Sequence, residues 1–394
     1  MTGAPEHDAP SPPGLKGLLA AICAISIFAF GMSLTYPLFA ILLERMGATG
    51  FEIGLSAAAA AVAMLAGGPI LPLLIKRVGA PVLISLSVVA MAVLLMIFPL
   101  IPNLWVWIAL RFFYGFAAVA VFFCAEIWIV TTAPPARRGF FIGLFGTCLA
   151  LGFLGGPLLL SVIGTQGMAP FLVSGGLCLC AIGPVMWARH EGPVLTEEEA
   201  DTPFSMFDVV RFFRTDPAVL WAVALFGAVE FGAMGLIPVW SLRIGLTEQA
   251  ALLLIALLAA GNVFMNVPMG LISDRFDRRK LLMICAAVSL SASFLIPLLS
   301  ATTWPLWFTT AIWGGMAVGL YVFALHELGA RYSGAAFARG NGAFMSAYGF
   351  GALVSPPLMG WGMDIAPPHG MFRVLAAAAG AYLLLLLLRR RPER

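Results

Sequence analysis

Long apolar runs, broken by short polar or glycine- and proline-bearing intervals, recur along the whole chain. A helix needs roughly 20 residues to cross about 30 Å of hydrocarbon. Windows of that kind fall at 15–43, 51–75, 80–101, 104–131, 139–163 and 168–188, and again at 217–242, 248–273, 281–300, 304–329, 340–363 and 371–388. Their length and apolarity predict twelve transmembrane helices. The longer polar break at 189–216 separates six from six. It gathers Glu191, Glu197, Glu198, Glu199 and Asp201, then interleaves Phe204, Phe207, Phe212 and Phe213 with Asp208, Arg211 and Arg214. That second pattern predicts a short helix lying on the membrane surface, with a plain tether as the alternative. The expected layout is a disordered tail at 1–14, a helix bundle at 15–188, a linker at 189–216, a second bundle at 217–388 and a basic tail at 389–394.

Basic residues orient the helices, because cytoplasmic loops retain lysine and arginine. With the amino terminus inside, the 22 basic residues all fall on the cytoplasmic side except Arg45, Arg243 and Arg373, which lie opposite, and Arg111, which lies within the membrane. Both termini are therefore expected in the cytoplasm, and the cytoplasmic (inner) membrane of a bacterium is the expected location. Composition agrees with membrane insertion. The chain is 61% hydrophobic and 10% charged, whereas a soluble globular domain carries about 25% charge. A net charge of +3 gives no reason to expect nucleic acid as a partner. The six cysteines sit in apolar segments and read as packing residues, and Cys178 with Cys180 lacks the histidine or second pair of a metal site. No phosphate-binding glycine loop, nucleophile elbow or His-Glu-x-x-His occurs, so neither an enzyme nor a cofactor is expected, and any work must draw on an ion gradient.

The two sides of the linker match at a constant offset of 201 residues. Phe30, Gly31 and Pro37 correspond to Phe231, Gly232 and Pro238, Glu126 to Glu327, and Arg138 to Arg339. Two six-helix halves related by an axis along the membrane normal place a binding site between them, near the midplane.

Three stretches carry a family likeness. Gly270, followed by Asp274-Arg275-Phe276-Asp277-Arg278-Arg279-Lys280, resembles the cytoplasmic loop signature of the major facilitator superfamily, with Asp277 where a glycine is usual. Its first-half counterpart, Lys76-Arg77-Val78-Gly79-Ala80-Pro81, is degenerate. Arg111-Phe112-Phe113-Tyr114-Gly115 is similar to the family's fourth-helix motif, with Tyr114 in place of the usual glutamine. Gly152-Phe153-Leu154-Gly155-Gly156-Pro157 is similar to the antiporter motif of drug exporters, without its trailing glycine pair. The resemblance runs from about residue 15 to 388. It implies an all-α integral membrane fold of two pseudo-symmetric six-helix bundles, a role for Arg111 in proton coupling, and a second-half loop that dominates the gate.

Ionisable residues at membrane depth are the candidates for chemistry, because a charge near the bilayer centre costs roughly 2.5–3.5 kcal/mol on insertion scales and is kept for a reason. Glu230 lies mid-span, about 20 Å of helix from either end, beyond the reach of a short side chain to water. It is the first choice for a proton or substrate site, with a packing hydrogen bond as the plain alternative. Arg111 is a fixed cation that either pairs with an acid or clamps an anion. Glu126, Glu327, Asp274, Arg275, Arg138 and Arg339 sit near the cytoplasmic ends and are read as gate pairs. His326 is titratable near neutrality, or else an interface residue. Tyr36, Tyr114, Trp128, Trp240, Asn262, Asn266, Trp313, Tyr321 and Tyr348 are candidates for the cavity wall, and Asn262 with Asn266 shares one helix face. Gly152 and Gly156 form a small-xxx-small pair suited to close helix contact.

These readings converge on a secondary transporter that works as a monomer by alternating access. Proton antiport with efflux of a hydrophobic or amphipathic compound is the first expectation. The alternatives are proton-coupled uptake of a small organic anion, with Arg111 as its clamp, and a receptor or assembly factor built on a transporter scaffold.

Overall fold

The computed structural model describes residues 14–134, 137–193, 206–299 and 304–389. Most of the expected amino-terminal tail, the acidic part of the linker and residues 390–394 of the basic tail lie outside the described residues, as do the side chains of Arg138 and Asp274.

Among the described residues the regular elements are helices. In the first half these are α1 (Leu15–Arg45), α2 (Gly50–Val78), α3 (Ala80–Ile97), α4 (Leu104–Thr132), α5 (Arg138–Ile163), α6 (Ala169–Cys180) and α7 (Ile182–Trp187). A linker helix, α8 (Met206–Thr215), follows. The second half holds α9 (Pro217–Arg243), α10 (Glu248–Arg275), α11 (Arg278–Leu298), α12 (Trp304–Arg331), α13 (Gly334–Ile365) and α14 (Gly370–Leu388). The expected span at 168–188 is split at Ala181 into α6 and α7. Pro184 explains the break, because it has no N–H to offer the carbonyl of Cys180 one turn earlier. Among the described residues eleven spans are long and apolar enough to cross a membrane, α6 and α7 counting together as one (Ala169–Trp187). The remaining long one, α13, is rich in glycine, with an asparagine and two serines along its length.

Local chemistry sets the starts. Thr49 opens α2 with a capping box, its hydroxyl accepting from the Glu52 N–H while Glu52 bonds back to Thr49. Thr247 caps α10, the equivalent helix, with its hydroxyl accepting from the Ala250 N–H. Asn103 accepts from two N–H groups of α4.

Close packing within each half is made by small residues. A Cβ on Gly152 or Gly156 would strike α1 at Ala29 and Ser33, and one on Gly351 would strike α9 at Ala224. The α5–α1 and α13–α9 contacts are thus the same contact in the two halves. Likewise Gly115 of α4 lies against Ala60 of α2, while Gly261 of α10, which is Ala60 advanced by 201, lies against Ala311 and Gly315 of α12. In a bilayer, where apolar burial supplies no force between helices, such backbone approach is what holds them together.

Charge distinguishes the two ends of the bundle. The basic end carries the first described residues, α8 and most of the arginines. The far end carries the turns after α1, α5, α9 and α13. Amphipathic α8 packs under the second half, with Phe212 against Tyr332 at 5.4 Å and Phe213 against Trp221 at 5.3 Å. Glu191, just after α7, accepts the Gly17 N–H at 2.7 Å and so ties the linker to the first turn of α1.

Candidate functional site: a ring-lined seam between the halves

Glu230 projects from the middle of α9 and accepts the Tyr348 hydroxyl of α13 at 2.6 Å. It borders a crevice of about 20 Å³ shared with Phe226, Leu258, Asn262 and Gly314, which is room for one water molecule. Glu230 and Asn262, predicted separately, thus meet in one place.

Aromatic rings continue outward from this carboxyl and join the halves. Tyr348 packs on Phe226 at 5.9 Å, on Phe231 at 5.8 Å and on Tyr321 at 6.4 Å. Phe231 meets Tyr36 of the first half edge-on at 6.3 Å, Tyr36 leads to Phe153 at 6.2 Å, and Phe153 stacks on Phe122 at 6.5 Å. These rings are half-buried apart from Phe226, which is buried. The row therefore runs along the seam between α1, α4 and α5 on one side and α9, α12 and α13 on the other. Sequence reading found its tyrosines and missed its phenylalanines. The available signals were Phe231 beside Glu230, and its repeat as Phe30.

Arg111 occupies a different place. It is 4% exposed, inside the first half, with its guanidinium 5.0 Å from the Phe39 ring and Nη1 3.5 Å from the Ser56 hydroxyl. Among the described residues it has no carboxylate partner, and a cation over an aromatic face is a partial substitute. Tyr114, one turn on, is also buried, with its hydroxyl oxygen 3.4 Å from the Thr35 hydroxyl. The ends of the seam differ as well. Glu126 is exposed and makes no ion pair among the described residues.

The other predicted residues scatter. Trp128 and Trp313 are fully buried, and their indole N–H groups find no partner among the described residues. Trp240 is buried at the far end, where its indole N–H donates to His369 Nδ1 at 3.1 Å. These three tryptophans pack inside the halves instead of along the seam. Asn266 is exposed on α10, and Arg275 and Arg339 are exposed at the basic end. Glu327 pairs with Arg331 at 2.6 Å and with Arg278 at 3.6 Å. Asp216, where the linker enters α9, pairs with Arg331 and accepts from Tyr332. This cluster lies within the second half and the linker, and no ion pair among the described residues crosses between the halves at the basic end. His326 is half-buried beside it.

Cross-half bonds concentrate at the far end, where sequence reading proposed none. Arg45 pairs with Glu248, which also accepts from Thr165. Arg243 binds Glu44 through Nε at 2.8 Å and Nη2 at 2.9 Å, and lies 3.5 Å from Asp364. Asp364 in turn accepts the Gly50 and Phe51 N–H groups at 2.7 and 2.8 Å, so the second half caps a first-half helix. Toward the basic end Phe140 on α5 and Phe264, Val267 and Leu271 on α10 are exposed.

This architecture, two matched six-span bundles around a midplane seam, agrees with the sequence profile of the Major Facilitator Superfamily, which matches residues 21–265 and 245–394. The chain belongs to that superfamily. It is 25% identical over 269 residues to YfkF, an uncharacterized MFS-type transporter of Bacillus subtilis (strain 168), covering 67% of each chain. An uncharacterized MFS-type transporter of Yersinia pestis (strain Pestoides F) is 23% identical over 371 residues, covering 92% of this chain and 93% of the relative. Among solved structures, the nucleoside transporter NupG superposes with a TM-score of 0.75 at 12% identity, covering 95% of this chain and all of NupG. An inward-facing, unoccupied bacterial homolog of the human lysosomal transporter Spinster gives 0.71 at 16% identity, with 94% of each chain covered. At these identities the structural likeness establishes the fold. The protein is a multi-pass membrane protein of a family of small-molecule transporters.

Proposed function

We propose that this superfamily member is a proton-coupled secondary transporter that exports a hydrophobic or amphipathic, ring-bearing small molecule in exchange for protons. In this reading 15–188 and 217–388 rock as two bodies about the seam, 189–216 tethers them, and the basic end faces the cytoplasm, with both termini inside a bacterial inner membrane. A seam bonded across at the far end, with no ion pair among the described residues crossing it at the basic end, then corresponds to an inward-facing state of a monomer.

The observation that carries the proposal is the Tyr348–Glu230 hydrogen bond set at the middle of a row of rings from both halves. A carboxyl held by one phenol, with space for a single water and no cation among the described residues within salt-bridge distance, exchanges a proton without leaving a second buried charge behind. Flat rings on both sides offer edge and face contacts to a planar cargo, worth about 0.5–1.5 kcal/mol per pair beyond the area buried. Cargo and proton would thus compete at Glu230, which is the minimal requirement for antiport. Arg111 packs on Phe39 inside the first half, within electrostatic reach of Tyr36 at the first-half side of the row but without a hydrogen bond to any of its rings; the anion-clamp alternative therefore rests on that one neighbour, whereas antiport rests on the bonded Tyr348–Glu230 pair.

The test uses purified protein and a ligand panel running from nucleosides, the cargo class named for NupG, to hydrophobic aromatic amines. Binding in weakly buffered detergent should release protons, and Glu230→Gln should abolish the release while leaving the fold intact by thermal melt. Coupled transport that continues unchanged in Glu230→Gln liposomes would sink the proposal.

A further inference from the structure

A second cavity lies outside the seam. It is a groove of about 420 Å³ on the outer side of the second half, floored by α9 and walled by α13 and α14. Trp221, Phe350 and Leu358 are exposed along its rim, while Val374, Ala378, Tyr382 and Leu385 of α14 form one wall. Helix α14 packs against α9, α11 and α13, all in the second half, so the groove opens to the membrane side and not to the seam. Its two hydroxyls are already satisfied within the protein. Ser355 donates to the Ala228 carbonyl at 3.1 Å, and Tyr382 donates to the Ala218 carbonyl at 2.8 Å. No free polar group is left inside to recognise a polar cargo.

The basic end of the groove has the opposite character. Just past the end of α14, four residues beyond Leu385, stands Arg389, whose guanidinium donates to the Arg214 carbonyl at 3.1 Å. Arg214 follows Phe213, the residue packed on the rim tryptophan Trp221. Both arginines are exposed, and neither has a carboxylate partner among the described residues. From Val374 to Leu385 the α14 wall runs about 17 Å at 1.5 Å per residue, against about 15 Å for one leaflet of a 30 Å hydrocarbon core.

We infer that this groove binds one anionic phospholipid from the leaflet at the basic end, with an acyl chain along α14 and the phosphate on Arg214 and Arg389. Apolar length matched to one leaflet, ending at two unpaired cations at headgroup level, is the complement of such a lipid. A zwitterionic lipid fills the groove equally well but gains less at the arginines. Attraction to an anionic surface is worth about fivefold in affinity per arginine.

The experiment titrates phosphatidylglycerol or phosphatidylcholine, each brominated on its acyl chains, into the detergent-solubilised full chain. Quenching at Trp221 is read as the difference between wild type and Trp221→Phe. Phosphatidylglycerol should quench at a concentration about tenfold or more lower than phosphatidylcholine. The preference should collapse in Arg214→Gln/Arg389→Gln, whose exposed side chains do not support the core. Ala378→Phe, which fills the groove, should weaken quenching by both lipids with the thermal melt as a check on folding. Equal quenching by the two lipids, a preference that survives the double substitution, or quenching untouched by Ala378→Phe would each overturn the inference.

Discussion

At the scale of single residues, the structure separates groups that hold the halves together from groups that respond to conditions, and His369 is of the second kind. It lies in the far-end turn between α13 and α14, and its Nδ1 accepts the Trp240 indole N–H, so the ring proton sits on Nε2. Burial first, and the Arg373 cation second, push its pKa below the ordinary value of 6.5. Because the folded chain favours the neutral ring, the unfolded chain binds that proton more readily. Stability from this site is therefore complete above pH 6.5 and is lost as pH falls through that value toward the lower folded pKa. The melting temperature should drop between pH 7 and pH 5 more steeply in wild type than in His369→Gln, whose amide oxygen still accepts from Trp240. Superimposable pH profiles for the two proteins would remove His369 from the account.

At the scale of helices, glycines decide how closely α2 and α13 approach. A Cβ at Gly54 would run into the Pro356 carbonyl, and one at Gly360 into the Gly50 carbonyl. Both neighbours are backbone, which cannot swing aside. Gly54→Ala should therefore force the two helices apart and lower stability by about 1–3 kcal/mol, as overpacking does. Gly143→Ala on α5 meets nothing within 4 Å and should be neutral or slightly stabilising, since alanine is the better helix former. Thermal unfolding of the two variants in the same detergent checks this, and equal melting temperatures would count against it. The same helices show what the sequence could convey. Their positions were legible because membrane-crossing length and proline breaks are properties of a single segment. Glu230 was legible because a lone acid mid-span stands out against apolar neighbours. Which face each helix turns inward was not, because a helix between lipid and protein is apolar on every side. Trp240 and Trp313 accordingly read as cavity residues and prove to be packed inside the second half, against Phe372 at 5.0 and 6.3 Å. The repeat matches Glu327 to Glu126 and groups it with Arg275 and Arg339 at the gate, yet its ion pairs go to Arg331, one turn away, and Arg278. A repeat preserves where a residue stands and not which neighbour its side chain reaches.

At the scale of the whole molecule, the far end and the basic end must open alternately if the seam is to be reached from both sides. Among the described residues the hydrogen bonds and ion pairs that cross between halves cluster at the far end. Asp364 is their hub, because it both faces Arg243 and caps α2. Exposed ion pairs are worth about 0–1 kcal/mol, while a helix cap is worth about 0.5–2 kcal/mol. The cap is therefore the larger part of what Asp364 supplies, and it exists only while the far end is shut. Asp364→Ala should relieve the closed form of about 1–2 kcal/mol and shift the balance toward far-end opening by about 5–30-fold. Asp364→Asn keeps an acceptor for the Gly50 N–H and should shift it less. Spin labels at Met46→Cys and Gln249→Cys, one in each half at the far end, read the change as a longer-distance population on a background without the exposed native cysteines Cys23 and Cys180. The longer population should grow in the order wild type, Asp364→Asn, Asp364→Ala. An unchanged distance distribution in Asp364→Ala would mean that the helix packing of α2 on α13, and not the capping carboxylate, keeps the far end closed.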